Sequence, residues 1–292
     1  MSDTKKSFTT SAPAPTRLRQ LALVAHDLKR AEYLLTRVIG TEVIFVDPGV
    51  AVWGLKNFIV PIGGDFIEVV SPTNPNTTAA RLLSKKGGGG YMIIMQTVDA
   101  RKQRAHIESK GLGKVIFARA HADSIFIQYH PKGIKGGVIP ELDSHEATPA
   151  NPEPVTARFA PWHACGPDYA SYSKGMKRTA DLHLVDITCH LAPGDEDTDA
   201  ALKQWEETFG ISRGPEHLQF TNARMRFLPG MEGKSEGFTD ITIAVRGEER
   251  LKGIFDRARE VDLPSGDGWV DMLGCRWHFV TAGGKREDVS KL

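Results

Sequence analysis

Three cysteines in 292 residues, Cys165, Cys189 and Cys275, are odd in number and far apart. They exclude a secreted disulfide scaffold and a cysteine-rich zinc site, and leave a reducing cytoplasm as the expected location. Charge of one sign is also missing: 37 Lys and Arg face 36 Asp and Glu. No net field recruits nucleic acid or an anionic membrane, so neither is an expected partner. No run reaches the roughly 18 apolar residues of a spanning helix. The opening segment MSDTKKSFTTSAPAPT lacks the apolar core of a secretory signal, so residues 1–16 read as a disordered tail.

What is present is a unit written twice. Residues 18–40, LRQLALVAHDLKRAEYLLTRVIG, are matched in order by 90–111, GYMIIMQTVDARKQRAHIESKG. Each has an apolar strand, an aspartate and an amphipathic helix ending at glycine. A recurring unit must bury its apolar face against its copies. Along 18–25, period two puts Leu21, Leu23 and Ala25 on one face and Gln20, Ala22 and Val24 on the other. The helix over 27–39 aligns Leu28, Ala31, Leu34, Leu35 and Val38 and stops at Gly40. Strands are expected near 42–46, 50–60 and 65–70. Aligning Asp27 with Asp99 sets Gln20 over Met92, and each copy closes on a strand with a central carboxylate, Glu68 in DFIEVVSP and Glu141 in GGVIPELD. The run Gly87 to Gly90 precedes a strand without dinucleotide-fingerprint spacing and reads as an inter-module hinge.

The order strand, helix, three strands, repeated in pairs, resembles the vicinal oxygen chelate superfamily, the group of glyoxalases and ring-cleaving dioxygenases. WGLKNFIVPIGGDFIEVVSPT resembles its glyoxalase-like branch. The resemblance implies an α+β fold: four βαβββ modules forming two glyoxalase-like domains with curved mixed sheets. The expected layout is an N-terminal domain at 17–145, a Pro- and Ala-rich linker or arm at 146–179, a C-terminal domain at 180–283 and a tail at 284–292. In this superfamily the first and last strands of a module supply metal ligands. The glyoxalase I pattern is Gln, Glu, His, Glu, which Gln20, Glu68 and Glu141 match and Met92 does not. The implied cofactor is a divalent ion, Zn, Ni, Mn, Mg or Fe, held by Gln20, Glu68 and Glu141. Glu141 would then act as the base. A buried glutamate works as acid or base even without a metal.

His130, at the end of SIFIQYH, is a second candidate proton carrier, with Lys132 and Lys135 beside it to steer an anion. His26, His106, His121 and His145 read as surface histidines. Trp53 and Asn57 stand on a strand that either lines the cup or packs the core. In the second half Asp186 and Asp240 occupy the first-strand positions, with Met225 and His278 as last-strand candidates. An extradiol dioxygenase carries His, His and Glu there, so Asp186, Asp240 and His278 read as a degenerate site. The leading expectation is a metal-assisted isomerase or lyase acting on a small oxygenated metabolite. Its rivals are an iron-dependent dioxygenase and a metal-free binding or resistance protein. Paired modules share a site within one chain or across a homodimer, and both arrangements remain open.

Overall fold

The computed structural model describes residues 14–283. The tails expected at 1–16 and 284–292 lie outside the described residues, apart from 14–16. Two mixed sheets organise the chain, and seven strands make the first in the order β2-β3-β1-β4-β7-β6-β5. Its centre is the antiparallel pair β1 (Arg17–Val24) and β4 (Gly89–Gln96). Outside β1 lie β3 (Asp65–Pro72), parallel to it, and then β2 (Leu55–Ile62). Outside β4 lie β7 (Ile139–His145), also parallel, then β6 (Ser124–Tyr129) and β5 (Val115–Ala120).

Alternation sorts the two faces of β1 as the sequence indicates. Leu21, Leu23 and Ala25 join the core beneath helix α1 (Leu28–Tyr33), while Ala22 and Val24 join a second apolar cluster on the concave side. Asp27 caps α1 by accepting from the Arg30 N–H. The helix continues as a wider-wound stretch, Leu34–Ile39, to left-handed Gly40. After it the chain departs from expectation. The strand expected at 42–46 is reduced to one bridge, Phe45 to Ile59, and a 3-10 turn, Pro48–Trp53, replaces the start of the next. Asp47 accepts from the Gly49 N–H, Pro48 fixes its own φ, and Gly54 exits left-handed, so local chemistry favours the turn over a strand.

The second sheet has eight strands in the order β13-β14-β15-β12-β8-β11-β10-β9. Its central pair is β8 (Leu182–His190) and β12 (Gly237–Val245), flanked by parallel β11 (Arg224–Leu228) and β15 (Cys275–Thr281). Short strands complete its edges: β9 (Ser212–Arg213), β10 (Leu218–Gln219), β13 (Ser265–Gly266) and β14 (Trp269–Met272). Helices α5 (Thr198–Phe209) and α6 (Glu248–Glu260) cover its apolar face.

One apolar cluster runs through both halves, from Leu21 to Ile241. Polar staples reinforce it: Arg250 and Arg257 donate to the carbonyls of Gly40 and Val38, and Gln103 on α3 (Ala100–Lys110) donates to Thr208 O. The glycine run is part of this seam. Gly87 ends helix α2 (Thr78–Lys86) in the left-handed conformation, and Gly89 and Gly90 are buried at the start of β4. A Cβ on Gly90 would stand 2.6 Å from the Phe238 ring and 2.7 Å from its carbonyl oxygen. The run therefore permits close approach of the halves and does not serve as a hinge. Gly90→Ala should destabilise the protein by about 1–3 kcal/mol, seen as a lower urea midpoint. An unchanged midpoint would contradict this packing.

Candidate active site

The concave face of the first sheet encloses a cavity of about 1090 Å³. Gln20, Glu68, Met92 and Glu141 all line it. Register explains why. Glu68 pairs with Ala22, two residues past Gln20, and Glu141 pairs with Ile94, two past Met92. In the second sheet Asp240 stands two before Thr242, the partner of His278, and Asp186 stands two before Thr188, the partner of Arg226. The fourth position there belongs to Arg226. Met225, one residue off, faces the apolar core.

Glu68 is held by amides on both sides. Gln20 Nε2 donates to its Oε2 at 2.9 Å and Asn57 Nδ2 to its Oε1 at 2.6 Å. The amide orientations are forced, because the indole N–H of Trp162 can only donate and it meets Gln20 Oε1 at 2.7 Å. Asn57 is fixed in the same way, its Oδ1 accepting from the Asp47 N–H at 2.9 Å. Glu141 accepts one amide bond, from Gln128 Nε2 to Oε2 at 2.6 Å. Burial raises both carboxyls above their usual range. Amide bonds from Asn57 and Gln20 oppose it at Glu68. At Glu141 burial and the neighbouring Asp143 act together, opposed by Gln128, and the carboxyl lies well above the usual range. The two glutamates are therefore unequal acids.

Trp162 comes from the segment between the sheets, which crosses the cup before helix α4 (Tyr169–Arg178). Arg19 pins it there. A register shift between Leu18 and Gln20 inserts Arg19 as a bulge, and its guanidinium stacks on Phe66 and Trp162 and donates to Ala160 O at 2.6 Å. Burial lowers its pKa to about 9. His163 adds a second anchor, 2.7 Å from Asp143 Oδ2 through Nε2, with its backbone N–H donating to His145 Nε2. Burial lowers His163 to about 4 and His145 to about 3, and raises Asp143 well above its usual range. Both partners of the pair are thereby driven toward their uncharged forms.

Several readings need correction. His130 is exposed, does not line the cavity, and its Nδ1 accepts the Lys132 N–H at 2.9 Å, so it shapes a turn. Lys135 pairs with Asp195, and its carbonyl accepts from Trp205, placing it in the seam between the halves. His145 is buried in the cup, and exposed His121 lines its mouth. Trp53 and Asn57 line the cup as well. Gln128, Asp143 and His145 were legible as inward positions by alternation with Phe126 and Glu141. The hold of Trp162 on Gln20 was not, since 142 residues separate them.

No family model matches the chain, and no curated protein does. A variant of 4-hydroxymandelate synthase from Streptomyces coelicolor superposes over 95% of this chain and 96% of its own, at 12% identity and a TM-score of 0.66. This chain has the vicinal oxygen chelate fold. Methylmalonyl-CoA epimerases also match. A variant from Streptomyces coelicolor covers 46% of this chain and 100% of its own at 24% identity and a TM-score of 0.41. The epimerase from Mycobacterium tuberculosis covers 47% and 92% at 20% identity and 0.40.

A vicinal oxygen chelate fold implies a metal at the four concave positions, and the residues here do not suit one. Gln20 turns its oxygen to Trp162 and its NH2 to Glu68, both Glu68 oxygens hold amide donors, and Met92 offers a thioether that a hard ion binds poorly. In the second sheet Asp186 pairs with Arg224 and Arg226, each at 3.2–3.3 Å, while His278 meets Asp240 at 2.9 Å. Asp186 is thus committed to the two arginines, while Asp240 and His278 pair with each other. Among the described residues no three His, Cys, Asp or Glu cluster as a metal site. After chelation, adding Zn, Ni, Mn, Mg or Fe(II) should leave the melting temperature unchanged. Stoichiometric binding with a rise in melting temperature that Glu68→Gln abolishes would contradict this reading.

Proposed function

We propose that the N-terminal cup is a metal-independent acid–base site that isomerises or cleaves a small oxygenated molecule, with Glu141 as the acid and Glu68 as the base. The observation that carries this reading is the unequal bonding of the two glutamates: two amide donors on Glu68, one on Glu141. Donors to a carboxylate favour its ionised form, so the better-supplied Glu68 ionises first. Glu68 on β3 and Glu141 on β7 stand three strand spacings apart across the curved sheet, about 14 Å along it, with their side chains turned into the same cavity. A substrate spanning the cup meets both groups.

The chemistry follows from placement. A carbonyl oxygen accepts a hydrogen bond from the protonated Glu141, and Glu68 removes a proton from the adjacent carbon as the electron pair moves onto that oxygen. Return of the proton to carbon gives isomerisation, whereas departure of a group from the next carbon gives elimination. The covering arm and the apolar walls exclude water and strengthen both interactions.

A metal-free binding or resistance protein is the second reading, favoured by the same fully bonded Glu68, which suits a static polar floor. Iron-dependent ring cleavage draws no support from Asp186, which the arginines Arg224 and Arg226 hold apart from the Asp240–His278 pair. Small molecules are the expected partners under both favoured readings. Among the described residues no helix is long and apolar enough to cross a membrane.

Proton–deuterium exchange separates the readings. In deuterium oxide the protein should catalyse exchange at carbon next to a carbonyl in a panel running from hydroxyacetone and pyruvate to tetralone. Glu141→Gln and Glu68→Gln should each lose at least about 100-fold. Activity should rise as Glu68 ionises and fall as Glu141 loses its proton, with both limbs above the ordinary glutamate range because both groups are raised. Saturable binding with no exchange would favour the static reading and overturn the proposed catalysis.

A further inference from the structure

The walls of the cup are more specific than its floor. Phe126 and His163, both lining the cavity, lie parallel with centroids 5.3 Å apart and an interplanar angle of 5°. Trp162 closes the corner at 4.8 Å from His163. At the mouth, Trp53 meets Phe117 edge-on at 5.3 Å, and Phe117 leans on Phe126 at 5.6 Å. The Pro48–Trp53 turn, strands β5 and β6 and the arm at Trp162 and His163 thus form one aromatic flank. Around the opening Val52, Trp53 and Ile116 remain 81%, 39% and 42% exposed. Apolar side chains gathered at the mouth of a cavity mark a surface that something covers.

Size and charge narrow what enters. Pockets of several hundred to 1,000 Å³ enclose drug-sized ligands, so a three- or four-carbon metabolite would leave most of about 1090 Å³ to water. Arg81 and Arg119 on the lining are matched in number by Asp47 and Asp123, and Arg81 is tied to Asn76 O and Thr78 Oγ1. Among the described residues of the lining no surplus of positive charge waits for a phosphate or carboxylate. Flat rings gain from offset or edge contact with aromatic walls, and each such pair contributes about 0.5–1.5 kcal/mol beyond area burial.

We infer that the N-terminal cup takes an uncharged, flat, fused-ring compound of two or three rings, lying along Phe126 and His163 with a hydroxyl or carbonyl oxygen directed to Glu68 and Glu141. The inference rests on the cup being a ligand site, as the proposed function holds, and narrows the substrate class. The apolar rim covers the outer ring, and the polar floor fixes which end enters first.

Calorimetric titration of the full chain with a naphthol tests it, with hydroxyacetone and pyruvate as aliphatic controls. The expected result is saturable one-to-one binding of the naphthol, and binding at least about 10-fold weaker for either control. Trp53→Ala, at a position 39% exposed on the cavity rim, should weaken naphthol binding about 3- to 10-fold while leaving the fold intact. Phe126→Leu should act in the same direction. Tighter binding of the aliphatic probes, or naphthol binding indifferent to both substitutions, would overturn the ring-ligand inference while leaving the acid–base reading in place. Naphthol binding without exchange on tetralone would do the reverse. Absence of any binding, including through a dimer that buries Trp53, would overturn both.

Discussion

The hydrogen bond from the Trp162 indole to Gln20 is the constraint on which the rest of the cup depends. An indole N–H has one role, so the amide that receives it must present its oxygen there and its NH2 elsewhere. The next group in line is Glu68, and Asn57, oriented by the Asp47 backbone, closes its other side. Hydrogen bonds from neutral amides to an ionised carboxylate contribute about 1.5–3 kcal/mol each. Glu141, with Gln128 alone, has half that support. A difference between two acids thus depends in part on an arm that reaches the sheet from outside it, alongside Asn57 at Glu68 and Asp143 at Glu141.

The two sheets share a plan and have filled it differently. Amides and carboxylic acids line the first concave face, arranged around a cavity. The equivalent positions of the second carry groups that pair with one another, Asp186 with Arg226 and its neighbour Arg224, Asp240 with His278. Burial raises Asp186 in spite of its arginines, while His278 and Thr239 overcome burial to hold Asp240 below its usual range. The second half also braces the first: its arginines cap the carbonyls at the end of the first helix, and Phe238 meets the glycine at the start of β4.

Alternation made much of this legible in the sequence. Alternation along β1, a local property, put Gln20 on the cup face, whereas the meeting of Gln20, Glu68 and Glu141 in one cavity was what the resemblance to the vicinal oxygen chelate superfamily implied. Reading stopped where register shifted or partners were remote. Met225 was one residue from the inward position that Arg226 takes, and the start of the third strand of the first module gave way to the turn at Pro48. His130 looked chemically apt, but Gln128, two residues earlier, is the inward one that bonds Glu141. The orientation of Gln20, which decides how well the site suits a metal, depends on a tryptophan in an aperiodic segment. No pattern around Gln20 encodes it.

The central claim is the inequality of Glu68 and Glu141. Carbon-13 NMR of the glutamate side-chain carboxyls across a pH titration, assigned by Glu68→Gln and Glu141→Gln, measures it directly. The account predicts two separate transitions, both above the ordinary glutamate range, with Glu68 ionising first and Glu141 at clearly higher pH. Coincident transitions, or Glu141 ionising before Glu68, would contradict it.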